Sequence, residues 1–475
     1  MTPLTLLPAT IMAAMVRRKE VSPVELVEAH LSRIEKLNPL LNAFVRVDAE
    51  RSRQSARTAE AAVMRGEPAG LLHGVPLTIK SSIDVAGLPS ETGSRLRAGR
   101  MAPADAPIVA RLKAAGAIIM GNTNAPEMLM SWETDNSLYG RTNNPWDLER
   151  TAGGSSGGES AAIAAGLSAA GVGSDGGGSI RVPAHFTGIC GLKPTPGRIP
   201  STGHYPPSLG PFSLIGVVGP MARTVSDLCA MFEVMTGTDD GDPISSPVPL
   251  RWPDEAELRK IRIGYFEDDD RTPVTPETRA AVRSVAQAMK QSGFEVEPFR
   301  PDVLQRARDF WWVMFGQSGE FVLRPTLAAC EDEISPTLKE FLMLVTEEPP
   351  LTAERVMQAW VGRDELRVRL LEQMRRFAIL LCPVCSIPAF RHGERRWMVD
   401  GRQARYLRDP DVMTYAQWWN LLGNPAAVVP VGRSPEGLPI GIQVVGRPYE
   451  DEVVLVMADE IEKRCGGGRL PPAAI

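Results

Sequence analysis

Residues 151–160, TAGGSSGGES, place four glycines and three serines in ten positions, and the run leads into SAAIAAGLSAA at 160–170, a predicted helix of small residues. Side chains this small let neighbouring elements pack closely, so this segment constrains its surroundings more than any other. It also poses a chemical question. One of the serines is a nucleophile, or the run serves the chemistry of another residue.

The flanking pattern alternates helix and strand. Residues 20–47 repeat apolar positions at helical spacing, with Ser22 and Pro23 at the start and Asn38-Pro39 as a stop signal, and predict an amphipathic N-terminal helix. LLHGVPLTIKSSIDV (71–85) predicts a strand, IVARLKAAGAIIMGNTN (108–124) a helix running into a buried strand, GVGSD a short strand, and VSDLCAMFEVMTG (225–237) a helix. After a polar, Pro-rich stretch at about 239–260, strand, helix and strand resume through about residue 299. Residues 300–420, rich in Trp, Met and Arg, predict a mostly helical cap, and the last stretch returns to two buried strands and a closing helix. The expectation is an α/β fold in one domain over 1–475, its core from about 20–240 and 415–465 and its substrate cap at about 300–415.

Composition excludes several classes. The chain has 475 residues, 43% hydrophobic and 23% charged, with a net charge of −5. No segment carries five or more consecutive Lys or Arg, which argues against a nucleic-acid partner. The apolar start has Arg17-Arg18-Lys19 after it rather than before, unlike a secretory signal, and no stretch reaches about 18 uninterrupted apolar residues. A soluble, cytoplasmic protein acting on small molecules is expected. The six cysteines, Cys190, Cys229, Cys330, Cys382, Cys385 and Cys465, are scattered, as in a reducing compartment, and the CPVC pair lacks a thioredoxin-like context.

Two glycine motifs match familiar patterns poorly. Gly153-Gly154-Ser155-Ser156-Gly157 fits the G-x-S-x-G elbow, which would make Ser155 a nucleophile with a histidine base. The histidines that follow it, His185, His204 and His392, give no convincing partner, and His392 sits in FRHGERR, expected to be a solvated loop. Gly171–Gly176 fits G-x-G-x-x-G but has no acidic partner about 20 residues on. Nothing has the spacing of a metal-ligand cluster. A lysine serves as a base if burial lowers its pKa from about 10.4 toward neutrality. Lys80, after four apolar residues in five, is the candidate, and the local sequence leaves a buried base and a solvated strand-edge charge equally open.

GVPLTIK, GGSSGGES, GSDGGGSIRVPA, GICGLKPTPGRIP and GLPIGIQVVGRP occur in that order. Together they resemble the amidase signature family, over most of 20–235 and 415–465. GNTNAPEMLMSWETDNSLYGRTNNPWDLERTAGGSSGGES is more similar to the fatty-acid-amide hydrolase and aryl acylamidase branch than to the glutaminyl-tRNA amidotransferase subunit. The resemblance implies an α/β/α sandwich, a central mixed twisted sheet covered by helices. It implies a Ser, cis-Ser, Lys triad in which Ser179 is the nucleophile, Ser155 follows a cis peptide and bridges, and Lys80 is the base. It also implies hydrolysis of amide C–N bonds through an acyl-enzyme, with anilides, fatty or aryl amides, carbamates (urethanase activity) and esters as substrate classes, no cofactor, and a monomer or homodimer. A transamidase subunit working with partner proteins and tRNA is the alternative.

In DGGGS, the N–H groups of Gly176, Gly177, Gly178 and Ser179 can converge into a nest for an oxyanion. The family usually has a larger residue at the position of Gly176 and commonly an aspartate at that of Ser81. Leu129, Met130 and Trp132, in EMLMSW, are expected to bind the acyl or aryl group, and Arg181 is expected to be structural; the cap residues Trp311, Trp312, Met314, Trp418 and Trp419 are expected by default to pack the core, with the lining of an acyl or aryl pocket as the alternative.

Overall fold

Eleven strands form one sheet in the computed structural model, which describes residues 2–327, 333–466 and 471. In chain order they are β1 (Phe44–Val47), β2 (Pro76–Lys80), β3 (Ile118–Thr123), β4 (Ala170–Asp175), β5 (Cys190–Lys193), β6 (Val217–Ala222), β7 (Arg262–Tyr265), β8 (Glu295–Pro298), β9 (Ile379–Pro383), β10 (Ala426–Arg433) and β11 (Pro439–Val445). Across the sheet the order is β1-β3-β2-β4-β6-β5-β10-β11-β9-β7-β8. The runs β3-β2-β4 and β9-β7-β8 are parallel and the other pairings antiparallel. Two apolar clusters dominate the interior, one containing the cap aromatics and the other packed around the N-terminal helices and Val225–Met235. The fold is the mixed α/β sandwich expected.

Local chemistry explains the elements around the site. The helix Pro23–Leu41 starts at a capping box, Ser22 accepting from Val24 N–H while Glu25 accepts from Ser22 N–H, with Pro23 in the first turn. It passes through Pro39 and ends at Asn42 in the left-handed conformation, and Phe44–Val47 pairs as β1 instead of continuing the helix. The Asn38 side chain causes this exit by accepting from Ala43 and Phe44 N–H.

The small-residue helix spans Gly157–Ala164 rather than 160–170, and each of its residues is buried. All five residues of β2 and all six of β3 and β4 are buried too, so Lys80 ends a strand paired on both sides.

The region expected to be a helical cap contributes one strand to the sheet, β9, and a hairpin at Arg396–Val399 and Arg402–Arg405. The apolar run ILLCP fills a slot between β11 and β7, which explains why it is extended. Cys382 and Cys385 are buried thiols there, and Cys330 lies outside the described residues. Among the described residues no helix is long and apolar enough to cross a membrane.

Candidate active site

Because β2 and β4 are parallel, their C-terminal ends meet at one edge, where β2 delivers Lys80 and β4 delivers Ser174 and Asp175. Lys80 is fully buried, and its Nζ lies 2.6 Å from Ser155 Oγ and 3.0 Å from Ser174 Oγ. Burial, only partly offset by the charges of Asp175 and Glu159, lowers the ammonium to about 7. The strand-edge alternative is therefore excluded. The Gly154–Ser155 peptide is cis, and Ser156 N–H donates to the Ser179 carbonyl at 3.1 Å, tying the two serine loops together.

The loop after β4 is organised by a buried ion pair. Burial opposes ionisation of Asp175, but Arg181, bonded to both carboxylate oxygens at 2.9 and 3.0 Å, holds its carboxyl well below the usual range. Arg181 also donates to Gln443 and Asn420, which makes it the structural residue expected. The same carboxylate accepts from Gly178 N–H at 2.7 Å and Ile180 N–H at 3.1 Å.

That bond corrects the nest. Gly178 has φ 112°, a conformation glycine adopts readily, and it turns its N–H onto Asp175 rather than into the cleft. Among the described residues the N–H groups of Gly176, Gly177 and Ser179 have no protein acceptor.

Two indoles hold the loop from the other side. Trp311 Nε1–H donates to the Gly176 carbonyl at 2.8 Å, and Trp132 Nε1–H to the Gly177 carbonyl at 3.0 Å. A Cβ at Gly176 would come 2.4 Å from Phe315 Cε2. Phe315 thus fills the space a larger residue would need. Ser81 Oγ is buried and, among the described residues, without a partner.

Ser179 stands where two chambers meet. One includes Ser155, Ser174, His204, Pro206 and Phe212. The other includes Ser131, Trp132, Gly177, Trp311, Phe341 and Leu407. Leu129, Met130, Ser179 and Phe315 line both. Of the residues expected to meet substrate, Leu129 and Met130 therefore border both chambers, and Trp132 borders the aromatic one while also bracing the glycine loop. Trp418 and Trp419 are buried in the core and line neither chamber.

A family model described as Amidase matches residues 25–455. The chain belongs to the amidase signature family. It is 34% identical over 461 residues to an indoleacetamide hydrolase of Bradyrhizobium diazoefficiens, covering 96% of this chain and 86% of that one. It is also 34% identical over 494 residues to a glutamyl-tRNA(Gln) amidotransferase subunit of Roseiflexus castenholzii, with 98% and 96% covered. The solved structure of a bacterial aryl acylamidase superposes with a TM-score of 0.85 at 27% identity, covering 98% of this chain and 97% of that one.

Several residues of this amidase's site carried no usable signal in the sequence. Glu159, fully buried below Lys80, accepts from the hydroxyls of Thr78 and Thr123, and burial raises its carboxyl to about 7 against those two bonds. Its only mark is a lone acid in a run of small residues. Ser174 is one of many serines, and Trp311, Phe315, Phe341 and Leu407 come from distant segments. His392 is half-buried, not a solvated loop residue, and lies 3.9 Å from Glu133. His185 is buried between the carbonyls of Gly441 and Ile387. Neither histidine lines the chambers. Among the described residues no group of three or more His, Cys, Asp or Glu is placed to hold a metal ion.

Proposed function

We propose that the protein hydrolyses amides carrying a bulky apolar acyl or aryl group, by an acyl-enzyme on Ser179. The observation that carries this reading is the buried Lys80 Nζ 2.6 Å from Ser155 Oγ, at a cleft that also holds Ser179. Neutral Lys80 takes the proton of Ser155, Ser155 takes that of Ser179, and Ser179 Oγ attacks the substrate carbonyl carbon. The oxyanion accepts from the free N–H groups of Gly176, Gly177 and Ser179. Lysine then returns its proton through Ser155 to the nitrogen, the C–N bond breaks, and the amine leaves. Water attacks the acyl-enzyme by the same relay and releases the acid.

The aromatic chamber supports an apolar acyl or aryl group, and anilides, aryl carbamates and esters belong to the same reading. Comparing kcat/KM for p-nitroanilides of increasing acyl length with glutamine, malonamate and an aryl carbamate tests it. The apolar anilides are expected to be preferred. Glutamine or malonamate as best substrate by about tenfold or more would refute the apolar reading.

The similarity to glutamyl-tRNA(Gln) amidotransferase subunits favours a second reading, a transamidase component that releases ammonia from glutamine within a complex on tRNA. Co-purification with two other proteins of such a complex, together with glutamine as best substrate, would select it.

A further inference from the structure

His204 lines the chamber that contains Ser155, Ser174 and Ser179, and the relay does not use it. Its loop is strapped to the segment just after Lys80. Tyr205 N–H donates to the Ser82 carbonyl at 2.8 Å, and Asp84 N–H to that of Gly203 at 2.9 Å. The His204 Nδ1 lies 2.9 Å from the Pro206 carbonyl oxygen. A carbonyl oxygen only accepts, so Nδ1 carries the ring proton and Nε2 keeps a lone pair. Nε2 is buried and has no hydrogen-bond partner among the described residues. Burial, followed by the charge of Lys80, lowers the imidazole to about 4. It therefore stays a neutral acceptor throughout the range in which Lys80 is neutral.

His204 and the relay serine Ser155 line the same chamber, which offers this acceptor a partner in the leaving group. Ser155 hands the proton to the departing nitrogen, so the leaving group lies in Ser155's chamber, beside His204. The carbonyl substituent then occupies the aromatic chamber with Trp132, Trp311 and Phe341. As the amide nitrogen becomes tetrahedral it needs its lone pair facing Ser155 and its N–H facing elsewhere.

We propose that His204 Nε2 accepts the N–H of the scissile amide, turning the nitrogen lone pair toward Ser155 and selecting N–H amides over esters and N,N-disubstituted amides. This rests on Ser179 being the acylated residue.

The test measures kcat/KM of wild type, His204→Phe, His204→Leu and His204→Gln on an anilide, its N-methyl anilide and the phenyl ester of the same acid. A fluorophosphonate labelling rate at Ser179 is read for each. Loss of a buried acceptor predicts that the Phe and Leu variants lose about ten- to a hundredfold on the anilide. They should lose less than about threefold on the ester, with labelling unchanged. Gln, whose side-chain oxygen also accepts, should recover part of the anilide rate. Equal losses on anilide and ester, or no loss on either, would overturn the proposal; the Leu variant decides if the Phe variant does not fold. Failure of the probe to label Ser179 in wild type would instead overturn the reading of the site itself.

Discussion

The two sides of Ser179 are built in opposite ways. On the relay side the charged groups are buried and paired: Lys80 with Ser155 and Ser174, Asp175 with Arg181, Glu159 with Thr78 and Thr123. Position there is fixed by hydrogen bonds at the end of a parallel strand pair. On the other side Trp132, Trp311 and Phe315 stack in sequence, with centroids 6.2 Å and 4.7 Å apart, and Phe341 closes the wall. Position there is fixed by packing. One side can hold a proton path that tolerates little movement, and the other can vary the parts of its lining that do not touch the glycine loop, so selection of the acyl group is separable from the proton path. The two sides join at the glycine loop, through the indole bonds of Trp132 and Trp311 and the packing of Phe315 on Gly176.

The largest effect expected from breaking the relay side is Lys80→Ala, which should lower kcat by about 10³-fold or more with the fold intact, as for removal of a catalytic base. Circular dichroism with steady-state kinetics checks this; substantial turnover in a folded variant would remove the lysine from the chemistry. Arg181→Ala leaves Asp175 buried and uncompensated, and should cost about 3–5 kcal/mol in denaturant unfolding. It should also impair turnover, because Gly178 and Ile180 are anchored on that carboxylate.

A third test is pH. Only neutral Lys80 accepts a proton, and its ammonium is lowered to about 7. Below that value kcat/KM should fall about tenfold per pH unit as lysine is protonated, and above it reach a plateau. A profile flat from pH 5 to 9 contradicts a lysine base.

Smaller changes are expected across the aromatic side. Trp311→Phe keeps an aromatic ring, though a smaller one, and removes one hydrogen bond to the glycine loop, worth roughly 0.5–1.5 kcal/mol, so kcat should drop about two- to tenfold. Phe341→Ala should leave the relay untouched and shift the best acyl length upward, each added methylene contributing about 0.8 kcal/mol, or roughly fourfold in kcat/KM, until the new space is filled. A uniform loss at all lengths would show that Phe341 supports the catalytic loop instead.

The same contrast decides what the sequence revealed. Lys80, Ser155 and Ser179 stand in short local motifs, and the runs of buried strand residues around them made the α/β sheet legible. The turn of Gly178 onto Asp175 was not legible, because which peptide N–H faces a carboxylate depends on the loop's full path. The aromatic chamber is assembled from residues near 130, 177, 311–315, 341 and 407, which no local pattern connects. Likewise ILLCP gave its extended conformation locally, but its place beside β11 was set by the far end of the chain. The helix ends shifted by a few residues where a side chain such as Asn38 captured backbone N–H groups.

The central claim is that Ser155 relays protons to a nucleophile at Ser179. Labelling with an alkyl fluorophosphonate, followed by peptide mass spectrometry, tests it most directly. The account predicts one adduct, on Ser179, whose formation is strongly slowed in Lys80→Ala. An adduct on Ser155 would contradict it and make the GGSSGG serine the nucleophile.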